Sequence, residues 1–134
     1  MREVELRTRV LRTPLGLSFS ADELAKEASD FHLAAFDNQG KLLGCLILSV
    51  KSETVVRMRQ LAVDPASQGL GIGKKLVRFS ELFSLGRGFT EMELHARGTA
   101  VPFYLSLGYA IEGNELTKVG IPHFKMKKGL KPSG

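Results

Sequence analysis

The run Leu61-Ala62-Val63-Asp64-Pro65-Ala66-Ser67-Gln68-Gly69-Leu70-Gly71-Ile72-Gly73-Lys74-Lys75-Leu76 decides how the rest of the chain is read. It joins an apolar stretch to a helical pattern, in which Ile72, Leu76, Phe79 and Phe83 recur at helix spacing. Gly86 and Gly88 close that helix. Gly69, Gly71 and Gly73 stand at alternate positions between strand and helix. Glycine lets the backbone approach a ligand closely and take conformations other residues resist. A helix start offers unpaired N–H groups and a partial positive charge. Together these features make a cradle suited to a pyrophosphate. The spacing is neither G-x-G-x-x-G nor a P-loop, since no Gly-Lys-Ser/Thr follows. A plain structural turn is the alternative.

Working upstream, residues 54–63 read as a strand with a phase slip. Val56 and Met58 share a face, while Leu61 and Val63 are out of step with them. Side chains alternate strictly along a strand, so an extra residue is needed, and a β-bulge near Arg59-Gln60 supplies it. A strand buried on both faces is the alternative. Residues 31–36 and 42–50 read as two further strands around the turn Asp37-Asn38-Gln39-Gly40. Val4, Leu6, Val10 and Leu11 predict a helix over residues 3–12, ended by Pro14 and Gly16. Ser20-Ala21-Asp22-Glu23 is a capping-box pattern and predicts a short helix to about residue 28.

Downstream, Met92, Leu94 and Ala96 alternate with Glu91, Glu93 and His95, which predicts a strand over 90–96. Thr99 is placed to cap a second helix ending at Leu107-Gly108. Tyr109-Ala110-Ile111 and His123-Phe124-Lys125-Met126 read as a closing hairpin. Strands and helices alternating in this order predict a mixed α/β sheet with a parallel crossover.

The chain has 134 residues, which fits one domain. The expected division is a single domain over 1–128 and a basic C-terminal tail over 129–134. The net charge is +5, and Lys125, Lys127, Lys128 and Lys131 concentrate it near the end. A basic chain attracts anions, including a phosphorylated cofactor; a solvated basic face explains the charge as well. A lone cysteine, Cys45, forms no internal disulfide and suits a reducing cytoplasm. No apolar run approaches the roughly 18 residues of a membrane span. Met1-Arg2-Glu3-Val4-Glu5 does not read as a signal peptide. Three scattered histidines imply no metal site. Eight Phe and two Tyr at mostly core-like positions rank a nucleic-acid-binding module last.

Gln68-Gly69-Leu70-Gly71-Ile72-Gly73 resembles the Q/R-x-x-G-x-G/A signature of the GNAT N-acetyltransferases. Ala100-Val101-Pro102-Phe103-Tyr104-Leu105-Ser106-Leu107-Gly108-Tyr109 is similar to that family's A-x-x-F/L-Y-x-x-x-G-F/Y. Leu94-His95-Ala96 and Gly120-Ile121-Pro122-His123 resemble a small bacterial branch of it. The resemblance covers roughly residues 31–128. It implies an acyl-CoA N-acyltransferase fold, a mixed central sheet that splays between the family's fourth and fifth strands, with helices on both faces.

The resemblance also implies roles. Coenzyme A's pantetheine arm would lie in the splay along the backbone of Leu61, Ala62 and Val63, with the Leu61 N–H polarising the acetyl carbonyl. Backbone N–H groups of Gln68, Gly69, Leu70, Gly71, Ile72, Gly73 and Lys74 would hold the pyrophosphate, while the Lys74 and Lys75 side chains help or face solvent. Phe103 would pack on the cofactor or on the core. Tyr104 matches the general acid; its alternative is a core ring with a wet hydroxyl. The donor would be acetyl-CoA, with no metal, and the acceptor a small-molecule or peptide amine. Homodimers are common among such domains.

Three departures matter. Arg57 stands where many members carry a glutamate base. A base must therefore come from elsewhere, with Glu91, Glu93, His95, His123 and His32 as candidates, and histidine has the better suited pKa. Structural roles remain open for His95 and His123. Arg97 replaces an asparagine that often contacts the cofactor, and could meet a phosphate or an acidic acceptor group. The family's first strand looks missing or very short. An acyl-CoA-binding regulatory domain without catalysis is the alternative that these departures raise.

Overall fold

The computed structural model describes residues 9–12, 17–23, 30–118 and 120–131. Among these residues, eight strands form one sheet: β1 (Arg9–Arg12), β2 (Ser18–Glu23), β3 (Asp30–Phe36), β4 (Leu42–Val50), β5 (Val55–Val63), β6 (Glu91–Arg97), β7 (Ala110–Lys118) and β8 (Ile121–Gly129). Their spatial order is β1-β2-β3-β4-β5-β6-β8-β7. β5 and β6 run parallel and the other neighbouring pairs antiparallel. Helix α1 (Ile72–Gly86) makes the crossover between β5 and β6, and the short α2 (Val101–Ser106) follows β6 through a 3-10 turn at Gly98–Ala100.

The period-3.6 pattern of α1 explains its packing. Ile72, Leu76, Val77 and Phe83 are buried against β2–β5. The Phe83 ring meets Phe31 at 5.2 Å, and Phe79 meets Phe19 at the same separation. Leu33, Leu46, Leu48, Val56, Met92 and Met126 are fully enclosed. Burying a side chain of this size contributes about 1.5–3 kcal/mol relative to leaving it in water.

The N-terminal expectations need correction. Arg9–Arg12 is strand β1, paired with β2 from Arg9↔Ala21 to Arg12↔Ser18, and not the end of a helix over 3–12; residues 3–8 lie outside the described residues. Four apolar positions match helix spacing over so short a run without excluding a strand, and pairing with β2 overrides that local preference. Ser20–Glu23 lies within β2 and is strand, not the first turn of a helix; residues 24–28 lie outside the described residues. The deciding signal is the period of two: Phe19 and Ala21 are buried, whereas Ser18, Ser20 and Asp22 are only half-buried. β1 and β2 also supply sheet N-terminal to β3, where a strand had looked missing. Thr99 sits inside the 3-10 turn, and no side chain caps α2.

β8 continues past 128 to Gly129. Leu130 is buried, and its N–H donates to Thr90 O at 2.8 Å. Among the described residues, no helix is long and apolar enough to cross a membrane.

Candidate active site

The site starts from an irregularity in β5. Ile47 pairs with Arg59 and Cys45 with Ala62, so Gln60 and Leu61 together face Leu46. Gln60 adopts φ +57°, the left-handed region rarely used by non-glycine residues. This is the expected bulge, one residue along from its predicted centre. It restores the phase: Val56 and Met58 are buried before it, and Leu61 and Val63 pack on the same core after it.

The bulge coincides with a parting of strands. β5 pairs with β6 from Val55↔Glu91 only to Met58↔Leu94, although β5 runs on to Val63 and β6 to Arg97. The resulting splay opens into a cavity of about 650 Å³. β5 contributes Arg57, Arg59, Gln60 and Leu61 to its wall; β6 contributes His95 and Arg97; α2 contributes Tyr104 and β8 contributes His123.

Tyr104 is buried, and that burial pushes its hydroxyl above the ordinary phenol value. Its ring meets Phe103 at 5.0 Å and Tyr109 at 5.8 Å, both edge-on. Tyr109 donates its O–H to Glu81 Oε2 at 2.8 Å, and Lys128 Nζ donates to both Glu81 oxygens and to Leu107 O at 2.8 Å. This buried cluster ties α1, β8 and the end of α2 together, and so supports the position of Tyr104.

The histidines differ in setting. His123 Nδ1 lies 2.9 Å from Ile121 O. A carbonyl only accepts, so Nδ1 carries the hydrogen and Nε2 is the accepting nitrogen of the neutral ring. His95 is half-buried in the same wall. His32 is exposed on β3 and does not line the cavity. Glu93 is buried and committed to cations: Arg57 donates to its Oε2 at 2.7 Å, and Lys125 Nζ stands 3.6 Å from Oε1. Neither Glu91 nor Glu93 lines the cavity. Two candidate bases therefore remain on its wall, His95 and His123.

At the far end of β5 the turn expected from the glycines is present. Gly69 and Gly71 have φ +87° and +80°, conformations that L side chains resist. Gly71 is the N-cap of α1, and nothing but the flexible end of Lys75, at 3.7 Å, comes near where its Cβ would stand. Gln68 Nε2 donates to Val63 O at 3.3 Å, bracing the turn against β5. Leu70 and Lys74 are exposed, whereas Ile72 is buried, so only the backbone of Ile72 is placed to serve a ligand. A Cβ on Gly73 would contact Val63 and Phe103, and Phe103 packs against the core. Ala62 is exposed opposite Cys45. Arg59 and Gln60 were not singled out beforehand as site residues. Their signal was readable: Arg57 and Arg59 share a strand face, and Gln60 lies at the phase slip.

The family model for the acetyltransferase (GNAT) domain matches residues 12–130. The chain belongs to the GNAT acetyltransferase family. It is 40% identical over 74 residues to the uncharacterized protein YyaT of Bacillus subtilis (strain 168), covering 55% of this chain and 50% of that one. The chain thus spans half the length of that curated relative. A candidate N-acetyltransferase from Lactobacillus plantarum superposes with a TM-score of 0.74 at 26% identity, covering 81% of this chain and 75% of that one. An aminoglycoside 6'-N-acetyltransferase complexed with coenzyme A superposes at 0.71 with 20% identity, over 81% and 77%, a likeness of fold alone. In this GNAT domain, the mixed sheet, its helices and the parallel pair that parts after Met58 are those the two motifs implied.

Proposed function

We propose that this GNAT domain moves an acetyl group from acetyl-CoA to a primary amine by direct attack, with both substrates bound together. The observation that carries the reading is the parting of β5 from β6 beyond Met58 and Leu94, which opens the cavity beside Tyr104. Acetyl-CoA supplies the acetyl group as a thioester.

The residues suit it. Backbone N–H groups from Gln68 to Lys74, at the start of α1, receive the pyrophosphate, and two positive-φ glycines leave the approach open. The backbone of Leu61, Ala62 and Val63 would hold the pantetheine arm, and the Leu61 N–H would donate where negative charge develops. Tyr104 keeps its proton at neutral pH and donates it toward the departing sulfur. His123 takes the amine proton at Nε2, since its Nδ1–H is committed to Ile121 O; His95, on the same wall, is the second base candidate. The acceptor is a small-molecule or peptide amine. The stretch through Leu130 acts as one catalytic domain, and the single cysteine suits work in the cytoplasm.

Calorimetric titration with acetyl-CoA tests this, beside Gly71→Glu and Tyr104→Phe. The wild type should bind saturably, and Gly71→Glu should lose at least about tenfold in affinity, because a carboxylate there opposes phosphate by charge and bulk. Tyr104→Phe should bind within about threefold of wild type while kcat drops on the order of a hundredfold. No binding by the wild type would sink the reading. Binding without turnover across a broad amine panel would instead favour an acyl-CoA-binding regulatory domain.

A further inference from the structure

The cavity wall has a one-sided charge. Arg57 and Arg59 reach it from β5 and Arg97 from β6, with His95 and His123 beside them, and among the described residues no aspartate or glutamate lines it. Arg57 is partly offset by Glu93 behind it. Arg59 bonds a neutral group, Ser49 Oγ, at 2.9 Å, and Arg97 is exposed. Among the described residues, no carboxylate pairs with Arg59 or Arg97. Arg59 and Arg97 thus line the same cavity from the two parting strands, and among the described residues neither has a carboxylate partner.

We infer that the acceptor is an amine carrying a carboxylate, held by Arg59 and Arg97, and that polycationic amines are rejected. The inference rests on the acetyl-transfer reading and narrows its substrate. Guanidinium is the side chain best matched to a carboxylate, through paired N–H donors. The same positive field repels a second ammonium, which makes the wall selective by repulsion as well as by attraction. It also bears on the missing acidic base. A like charge nearby disfavours the charged form of the acceptor's ammonium, so the amine sheds its proton more readily. A neutral histidine then suffices to take that proton, where a glutamate at position 57 would have held the ammonium charged. With Arg57 clamped to Glu93 instead, the acid on β6 is turned away from the cavity.

The test uses β-alanine, γ-aminobutyrate and glycylglycine, each beside its carboxamide, together with spermidine. Thiol release from acetyl-CoA gives kcat/KM, and calorimetry on the CoA-loaded and free protein gives affinity without turnover. The carboxylates should exceed their carboxamides by at least tenfold, with spermidine poorest. Arg59→Glu should abolish that preference and raise the rank of spermidine, while the Kd for acetyl-CoA stays within threefold. A wild type that prefers the carboxamides or spermidine, or that binds none of the carboxylates, overturns the inference. So does an Arg59→Glu variant that weakens acetyl-CoA tenfold with the amine order unchanged, because the arginines would then serve the cofactor. Failure of the acetyl-transfer reading is seen separately, as no acetyl-CoA binding by the wild type; the amine affinities of the free protein still decide the charge preference.

Discussion

Replacing Glu81 by alanine should be among the most damaging single changes in the molecule, although Glu81 does not line the cavity beside Tyr104. Its side chain is 10% exposed, and it accepts from Tyr109 and twice from Lys128, whose side chain is 20% exposed. Removing one member of a buried ion pair costs roughly 3–5 kcal/mol, because the other charge stays desolvated and unmatched. Lys128 keeps one acceptor, Leu107 O, and some access to water, which places the expected loss near the lower end, about 3 kcal/mol. The stranded Tyr109 hydroxyl draws on the same loss and is not added to it. Urea unfolding with a shared m-value measures the change. The double variant Glu81→Leu/Lys128→Met should recover much of the loss, ending within about 2 kcal/mol of wild type, because no charge is left buried. Two results would refute the reasoning: a single-variant loss below about 1 kcal/mol, or a double variant as unstable as the sum of the two singles.

Two further outcomes are expected. Gly44→Ala puts a Cβ 2.9 Å from Ala62 O, a backbone atom of β5 that cannot swing away, so it should cost about 1–3 kcal/mol in chemical denaturation; a neutral result would mean that β4 and β5 separate there more easily than their pairing suggests. At alkaline pH, burial raises Tyr104, and burial followed by the Glu81 carboxylate raises Tyr109. The unfolded chain releases these protons first, near pH 10, so stability is whole below that value and falls as pH rises through the folded-state values. Melting temperatures from about pH 8 to about pH 11 check this, and Tyr109→Phe should flatten the alkaline fall relative to wild type; equal slopes would remove Tyr109 from the account.

What was legible in the sequence follows from local periodicity. The spacing of Ile72, Leu76, Phe79 and Phe83 predicted α1, and the glycines before it predicted a positive-φ turn at its start, because both depend on neighbours within one helical turn. The phase slip between Met58 and Leu61 predicted the bulge for the same reason: alternation is a property of one strand alone. The N-terminal misreading marks the limit of such signals. Residues 9–12 and 20–23 carry patterns that a helix or a strand can satisfy, and β1, β2 and β3 become strands by pairing with each other.

The sequence by itself therefore determined the order of most elements from residue 31 onward, the glycine turn before α1 and the presence of Tyr104 on a short helix after β6. Only the tertiary structure decided which candidate bases share the cavity. Glu91, Glu93 and His95 alternate on one strand face, and in the sequence only histidine's better suited pKa ranks them. Arg57 arrives from β5 and Lys125 from β8 to engage Glu93, while β5 and β6 part just before His95, which lines the cavity. Charge pairing across strands and the end of a ladder are set by residues far apart in the chain, and local pattern carries no record of them.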